Sequence, residues 1–165
     1  MSINTLVKID NATLHDELIQ LVSFILDNEE YGVEVLKVRE IIRMPSITKM
    51  PNTPQYAEGI INLRGTVVPI VSMRKRFGLV DTDYDSHTRI MVMDAPGGLT
   101  GLIVDGVSEV IRIPNSDIQP PPSMLSGGLG QECVTGVINH AERLLIMLDI
   151  DRMFTPEELN SFSAI

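Results

Sequence analysis

The sequence predicts an all-β fold made of two copies of one small barrel-like unit. Short runs of Val, Ile and Leu alternate with Gly and Pro turns along the chain, which is typical of strands at regular spacing. The run "GVEVLKVREIIRMP" (32–45) also matches "GLIVDGVSEVIRIP" (101–114) without a gap, sharing Gly, two Val, Glu, Ile, Arg and Pro. These observations favour a pair of small β-barrels over a sandwich or an α/β sheet.

A second match strengthens the internal repeat. The run "GIINLRGTVVPIVSMRKRF" (59–77) aligns with "GVINHAERLLIMLDIDRMF" (136–154), keeping Gly, Ile, Asn and Phe, and the two matches occur in the same order. Each half also begins with a strand-like run, residues 20–26 in the first and 89–94 in the second. The chain therefore reads as a duplication, with a longer loop at 118–132 in the second copy.

The elements of the first half follow in order. "QLVSFIL" (20–26) predicts a strand, "DNEEYG" a polar turn, and the Val-rich and Ile-rich run that follows predicts more strand. Pro45, Pro51 and Pro54 favour a loop or one helical turn between that strand and the next. "GIINL" and "TVVPIV" predict two strands around the turn at Arg64-Gly65, where Pro69 indicates an edge or a bulge.

Helix is predicted in few places. "SMRKRFG" (72–78) favours a short helical turn closed by Gly78. In "TPEELNSF", Thr155 suits the N-cap, Pro156 the first helical position and Glu158 the capping box, so a C-terminal helix is expected to pack across one barrel. The run "ATLHDEL" near the start is compatible with either a helix or a flexible arm.

Composition excludes several classes of protein. The 165 residues suffice for one domain or two small ones with a core of their own. With 22 acidic against 13 basic residues the net charge is −9, which argues against nucleic acid or an anionic membrane surface as the main partner. A single cysteine, Cys133, excludes an intramolecular disulfide, and no leader-like segment or membrane-spanning run is present, so we expect a cytoplasmic protein without direct membrane insertion.

Motifs for catalysis, cofactors or metals are missing from the sequence. His15, His87 and His140 are scattered, with no metal-ligand spacing to each other or to Cys133. No nucleophile elbow or phosphate loop is found, and we predict no active site, no cofactor and no metal. Asp105 and Glu109 could suggest acid–base chemistry. Only the glutamate recurs in the first copy, as Glu40, which favours a structural or contact role.

The role of Arg64 needs an explanation, because this residue places a positive charge at the turn of an apolar hairpin in an acidic chain. The second copy keeps the asparagine, as Asn139, but has Ala141 and Glu142 in place of Arg64 and Gly65. Two interpretations stay open. Arg64 either caps strand carbonyls or pairs with a carboxylate such as Glu40, or it is a contact residue for a protein partner.

Three segments carry a resemblance to a known family. "EEYGVEVLKVREI" (29–41), "NTPQYAEGIINLRGTVVPIVSMRKRFG" (52–78) and "GLIVDGVSEV" (101–110) resemble the CheW family, the coupling proteins of bacterial chemotaxis. The match runs in order from about Gln20 to Phe154. It implies two intertwined, SH3-like, five-stranded β-barrel subdomains around a shared core, and a C-terminal helix.

The resemblance also implies a domain organisation. An N-terminal arm is expected over 1–18, and a CheW-like domain over 19–157. That domain is expected to consist of two subdomains, about 19–85 and 86–154, that exchange terminal strands or helix. The C-terminal helix or tail is expected over 155–165.

Function follows from the resemblance as an expectation. Family members are non-enzymatic adaptors that couple transmembrane chemoreceptors to the histidine kinase CheA, whose regulatory domain has the same fold. The implied partners are that regulatory domain and the cytoplasmic receptor tips, with self-association in membrane-associated arrays left open. Alternatives are the same coupling role in a non-flagellar CheA-type pathway, or a small-molecule-binding β-barrel.

Five residues match positions of the family's contact regions, or positions that keep those regions in shape. They are Val38, Glu40, Gly59, Arg64 and Val110. One departure concerns Ser72 in "VSMR", where family members often have an acidic residue. This departure puts in doubt any charge contact made from that position.

Overall fold

Ten β-strands and little helix form the part of the chain that the computed structural model describes, residues 17–122, 131–155 and 158. The strands are β1 (Leu18–Leu26), β2 (Glu29–Glu34), β3 (Val38–Arg43), β4 (Ala57–Leu63), β5 (Thr66–Ser72), β6 (Arg89–Ala95), β7 (Gly98–Val104), β8 (Gly106–Pro114), β9 (Val134–His140) and β10 (Arg143–Leu148). A helix of one turn, α1 (Met73–Arg76), follows β5, where the sequence predicted it. The predicted all-β class is confirmed.

The strands form two five-stranded sheets with the same internal order. One sheet runs β8-β1-β2-β10-β9 and the other runs β3-β6-β7-β5-β4. Strands that the repeat makes equivalent, such as β3 and β8, take equivalent places in the two sheets. The first two strands of each repeat belong to the sheet that holds the remaining strands of the other repeat. They join it through the antiparallel pairs β1–β8 and β6–β3 and the parallel pairs β2–β10 and β7–β5. The repeat found in the sequence therefore corresponds to a structural repeat.

Among the described residues, one isolated bridge between its edges closes each sheet into a barrel. Thr48, which follows β3, exchanges two backbone hydrogen bonds of 2.8–2.9 Å with Ile60 of β4. Gln119, which follows β8, does the same with Val137 of β9. These bridges join the two outer strands of each sheet, and such closure removes exposed edges. We call the closed sheet β3-β6-β7-β5-β4 barrel one and the closed sheet β8-β1-β2-β10-β9 barrel two.

Three apolar clusters fill the described structure, and alternation along the strands produces them. Ile61, Val68, Ile70, Ile90, Val92 and Ile103 fill barrel one. Leu21, Ile111, Ile113, Ile138 and Leu145 fill barrel two. The opposite faces of the same strands form a third cluster shared by both repeats, which includes Phe24, Met91, Met93, Leu102 and Leu148. Strands such as β6 are thus buried on both faces.

Pro69 departs from the edge or bulge position expected for it. It lies in β5, which is flanked by β4 and β7, and is therefore in an inner strand. Pro69 pairs with Ile60 of β4, whereas the pairing of β5 with β7 begins only at Ile70. The missing backbone N–H of proline is tolerated because the ladder to β7 starts one residue later.

The start of the predicted C-terminal helix is visible in the described residues. The Glu158 N–H donates to Thr155 Oγ1 at 3.2 Å, and the Thr155 N–H donates to Glu158 Oε1 at 2.8 Å. This reciprocal pair is the predicted capping box. Pro156, the rest of the tail, residues 1–16 of the predicted arm and the run 123–130 lie outside the described residues. The predicted subdomain boundaries stay predictions.

Candidate functional site

The turn between β4 and β5 presents Arg64 on a tight hairpin. Arg64 and Gly65 both have positive φ, 50° and 88°, as a two-residue hairpin turn requires. Asn62 Oδ1 accepts a hydrogen bond of 2.7 Å from the Gly65 N–H and fixes the turn. The Arg64 side chain is 75% exposed.

Arg64 and Glu40 form a two-pronged ion pair. Nη2 of Arg64 lies 2.9 Å from Oε2 of Glu40, and Nη1 binds the other carboxylate oxygen. The hydrogen bond from Arg64 lowers the pKa of Glu40, and the hydrogen bond to Glu40 raises the pKa of Arg64. Of the roles predicted for Arg64, the structure contains the ion pair with Glu40. It joins β3 to the β4–β5 turn across the closure of barrel one.

Two exposed apolar side chains lie close in sequence to the residues of this ion pair. Ile41 follows Glu40 on β3, and Val67 lies two residues after Gly65 on β5; both are exposed. We call Glu40, Ile41, Arg64 and Val67 surface one. Apolar side chains around an arginine are typical of protein interfaces.

Barrel two carries the equivalent group of residues. The repeat places Glu109, Val110 and Leu144 where barrel one has Glu40, Ile41 and Val67. Val110 is 60% exposed and Leu144 is exposed to a similar extent. Glu109 faces His140, with 4.0 Å between Oε1 and Nε2. We call Glu109, Val110, His140 and Leu144 surface two.

The five residues expected at contact regions are distributed over both barrels. Glu40 and Arg64 come together in surface one, and Val110 lies in surface two. Val38 is half-buried and packs against the shared cluster. Gly59 is buried at the closure of barrel one, where an added Cβ would lie 2.1 Å from the carbonyl oxygen of Thr48. The geometry gives Val38 and Gly59 supporting positions and leaves the other three accessible.

An apolar groove on barrel two escaped prediction from the sequence. Leu18 to Gln20 of β1 and Glu34 to Leu36, at the end of β2 and just after it, line a groove of about 290 Å³. Leu36 is 89% exposed and Leu18 is 61% exposed. One signal in the sequence could have identified Leu36: the repeat has a charged residue, Asp105, at the equivalent position.

Asp105 belongs to an ion-pair network. This supports the structural role expected for it over acid–base chemistry. Arg74 Nε donates to Asp105 Oδ1 at 2.8 Å, and the Asp27 N–H donates to Oδ2 at 2.8 Å. Burial raises the pKa of Asp105, but the bonds from Arg74 and Asp27 outweigh it and hold the pKa below its usual value. Asp105 is an ionised structural group that borders a cleft of about 470 Å³.

Ser72 replaces the acidic residue frequent in the resembled family and has a structural role here. It is buried, and its hydroxyl oxygen accepts a hydrogen bond of 3.3 Å from the Lys75 N–H as the N-cap of α1. No charge contact can be made from this position.

Metal and thiol chemistry find no support in the described residues. Within residues 17–122, 131–155 and 158, no group of three or more His, Cys, Asp and Glu is placed to hold a metal ion. Cys133 is buried, and burial raises the pKa of its thiol to about 11. No helix in that part of the chain has the length and hydropathy to cross a membrane.

Residues 20–158 match the family model described as the CheW-like domain. The chain belongs to the CheW-like family. It is 38% identical over 136 residues to the chemotaxis protein CheW of Klebsiella aerogenes, a match that covers 82% of this chain and 81% of that protein. It is 33% identical over 154 residues to the CheW protein of Treponema pallidum, covering 91% of this chain and 90% of that protein.

A solved structure agrees with these relatives. The scaffolding protein TtCheW from Thermoanaerobacter tengcongensis superimposes with a TM-score of 0.78 at 34% identity, covering 86% of this chain and 96% of that one. The matches confirm the resemblance in the sequence and the fold expected from it. They also confirm the expected role of a chemotaxis scaffolding adaptor.

Proposed function

We propose that this chain couples cytoplasmic tips of chemoreceptors to the regulatory domain of the histidine kinase CheA, without enzymatic activity of its own. The observation that carries the proposal is the pair of equivalent surfaces on the two barrels. Surface one and surface two occupy equivalent positions of the repeat but differ in charge, because Arg64 and Gly65 of the first copy are replaced by Ala141 and Glu142 in the second. Duplication followed by divergence lets one small protein hold two partners at once.

The packing supports an adaptor over the alternative of a small-molecule-binding barrel. The interiors of both barrels are filled by buried Ile, Val and Leu side chains. A ligand cavity in such a barrel needs side chains to be withdrawn from the interior. Exposed apolar residues lie instead on the outside, at Leu36, Val67, Val110 and Leu144, where a protein partner can cover them.

The proposal assigns the contact role to Glu40, Arg64 and Val110, with Val38 and Gly59 keeping those regions in shape. It places the protein in the cytoplasm, recruited to receptor arrays at the membrane, where self-association adds further contacts. Single contacts of moderate strength become effective in such an array because each bound partner raises the local concentration of the next. The same role in a non-flagellar CheA-type pathway uses the same surfaces.

The test is titration calorimetry of the purified chain with the regulatory domain of a co-encoded CheA. We expect binding by the native chain and a clear loss of affinity in Arg64→Ala, whose fold should persist because exposed ion pairs contribute little to stability. Arg39→Ala is the matched control, since Arg39 is an exposed arginine on β3 that faces Asp94 at 3.7 Å. Failure of the native chain to bind any co-encoded CheA domain or receptor tip would overturn the proposal.

A further inference from the structure

Within the described strands, the chain passes between the two barrels at two crossings. The first crossing, residues 35–37, leads from β2 of barrel two to β3 of barrel one, and the second, at Asp105, leads from β7 of barrel one to β8 of barrel two. The repeat makes the crossings equivalent, with Leu36 in the place of Asp105. Surface one and surface two lie on different barrels, so the angle between the barrels sets the directions in which the two surfaces face.

Arg74 of α1 ties the second crossing to both barrels. The helix α1 follows β5 of barrel one, and Arg74 binds both carboxylate oxygens of Asp105, at 2.8 Å through Nε and at 2.6 Å through Nη2. Asp105 also accepts a hydrogen bond of 2.8 Å from the N–H of Asp27, in the β1–β2 turn of barrel two. Nη1 of Arg74 donates to the Val80 carbonyl at 2.7 Å. Because a two-pronged contact restricts direction as well as distance, this link restrains the angle between the barrels.

The equivalent link at the first crossing is weaker. The repeat places Asp151, in the helical turn after β10, where α1 has Arg74, and Asp151 binds Lys37 at 3.0 Å. Pro96 stands in the place of Asp27 and offers neither a carboxylate nor an N–H to this link. The Lys37 side chain is 37% exposed, whereas the Arg74 side chain is 14% exposed. Since exposed ion pairs contribute little, the stronger restraint lies at the second crossing.

The apolar cluster shared by both repeats holds the barrels together without dictating one angle, because hydrophobic contact is non-directional. Four of its described buried members are methionines, whose flexible side chains adapt to shifted neighbours: Met73, Met91, Met93 and Met153. Polar links from α1 supply the direction. Arg76 makes one of them, to the Met153 carbonyl beyond β10, and Arg74 makes another. Two such points fix an angle, whereas one alone leaves a pivot.

We propose that Arg74 is a positioning residue, which fixes the angle between the barrels and thereby the directions in which surface one and surface two meet their partners. The consequence for partners rests on the proposed function. Without Arg74, the shared cluster and Arg76 keep the barrels together while their angle varies. Such a chain binds each partner at its own surface but no longer holds both in the geometry that an array requires.

The angle can be measured without a partner, by residual dipolar couplings of backbone amides in the weakly aligned chain. Couplings from the two barrels of the native chain should fit one alignment tensor, and those of Arg74→Gln should need two. Arg74→Lys, which keeps the charge but not the two-pronged contact, should lie between them. Asp151→Asn is the matched control, because it removes the ion pair at the equivalent position of the repeat, and it should keep one tensor. A single tensor with the native orientation in Arg74→Gln would overturn the inference.

Two further measurements decide the matter if Arg74→Gln does not fold. Asp105→Asn removes the charge on the other side of the same link and should also need two tensors; one tensor there would contradict the inference. In the native chain, the N–H groups of Asp27 and Asp105, which donate to Asp105 Oδ2 and to the Ile25 carbonyl, should be better protected from hydrogen exchange than the Val38 N–H at the first crossing. Poorer protection of Asp27 and Asp105 would show that the second crossing is the looser one and would overturn the inference.

The consequence for function needs two readouts. Calorimetry gives the affinity for the regulatory domain of the co-encoded CheA and for a receptor-tip fragment, each alone, and co-sedimentation gives the recruitment of full-length CheA to receptor-bearing membranes. Arg74→Gln should bind each partner within roughly two-fold of the native affinity, because Arg74 lies outside both surfaces. Recruitment should fall by roughly ten-fold, because it requires both surfaces in a defined geometry.

The outcomes separate this inference from the proposed function. Native recruitment by Arg74→Gln, or a loss of single-partner affinity as large as the loss of recruitment, would overturn the positioning role. Native chain that binds neither partner would overturn the proposed function, and the dipolar couplings would still decide whether Arg74 fixes the angle between the barrels.

Discussion

Arg76 and Glu158 form an ion pair that ties the end of the second repeat to the helix that follows β5 of the first. Nη1 of Arg76 lies 2.8 Å from Oε2 of Glu158, and Nη2 donates to the Met153 carbonyl at 2.6 Å. The guanidinium carbon also lies 4.9 Å from the ring centroid of Tyr56 and 5.3 Å from that of Phe154. The Arg76 side chain is 8% exposed, so this contact is made inside the protein.

Arg76→Met should destabilise the fold strongly, because it leaves the Glu158 carboxylate and the Met153 carbonyl without their cation. Removing one partner of a buried ion pair costs roughly 3–5 kcal/mol, and we expect the low end because Glu158 keeps some access to water. Urea unfolding followed by circular dichroism measures the change. Arg39→Met, in an exposed pair, should cost less than about 1 kcal/mol. Equal losses in the two variants would contradict the internal role of Arg76.

Stability should fall in acid through Glu158. Burial by itself raises the pKa of Glu158, but the bond from the Thr155 N–H, the bond from the Tyr56 hydroxyl and the Arg76 charge together lower it. The folded pKa is therefore below the unfolded value of about 4.3. The stabilisation is complete above that value and is lost as the pH falls through the folded pKa.

Glu158→Gln should flatten this acid dependence. Urea midpoints measured between pH 7 and pH 3 should fall less steeply in the variant than in the native chain. Some slope should remain, because the pKa of Asp105 is also lowered in the fold. Tyr56→Phe, which removes one donor to Glu158 but keeps its charge, should give an intermediate slope. A slope in Glu158→Gln as steep as the native one would rule out this source of acid sensitivity.

Cys133 should be unreactive in the folded protein. It is buried, and burial raises its thiol pKa to about 11, so the reactive thiolate is roughly one part in a thousand at pH 8. We expect an aromatic disulfide reagent to label urea-unfolded chain promptly and native chain only at the rate at which the fold opens. Labelling of native chain at the unfolded rate would show that the thiol is accessible.

Local sequence pattern was sufficient for several strands, and it included one observed contact among the alternatives that it left open. Strand-like runs bounded by Gly, Pro and Asn gave β1, β4, β5 and β6 close to their observed bounds, because side-chain period and turn chemistry are local properties. The internal repeat by itself placed Glu40 and Glu109 at equivalent positions. Pairing of Arg64 with Glu40 was one of the alternatives that the sequence left open.

Other features depend on partners distant in the chain. A strand pattern does not state which sheet the strand joins, so the places of β1 and β6 could not be predicted from the residues alone. Arg76 lies in the cationic run "MRKR", which by composition suggests a solvated face. Its burial is caused by Tyr56, Phe154 and Glu158, up to 82 residues away.

Substitution of Gly59 can distinguish a residue that supports the shape of a surface from a residue that contacts a partner. Its φ of +144° is unfavourable for other residues, and an added Cβ would lie 2.1 Å from the Thr48 carbonyl oxygen that closes barrel one. Gly59→Ala should therefore lose roughly 3 kcal/mol or more of unfolding free energy. Gly65→Ala is the matched control: its φ is +88°, nothing lies within 4 Å of an added Cβ, and the expected cost is about 1–2 kcal/mol.

The two measurements together decide the role of Gly59. If Gly59 only supports the closure, partner binding by Gly59→Ala should fall in proportion to the fraction unfolded, and the folded fraction should bind with native affinity. Arg64→Ala, in contrast, should be folded and weak in binding, because its side chain lies outside the barrel. A Gly59→Ala chain that is as stable as the native one but fails to bind would place the Gly59 backbone itself in the contact. The distinction rests on geometry: Gly59 faces Thr48 within the barrel, whereas Arg64 faces Glu40 and the solvent.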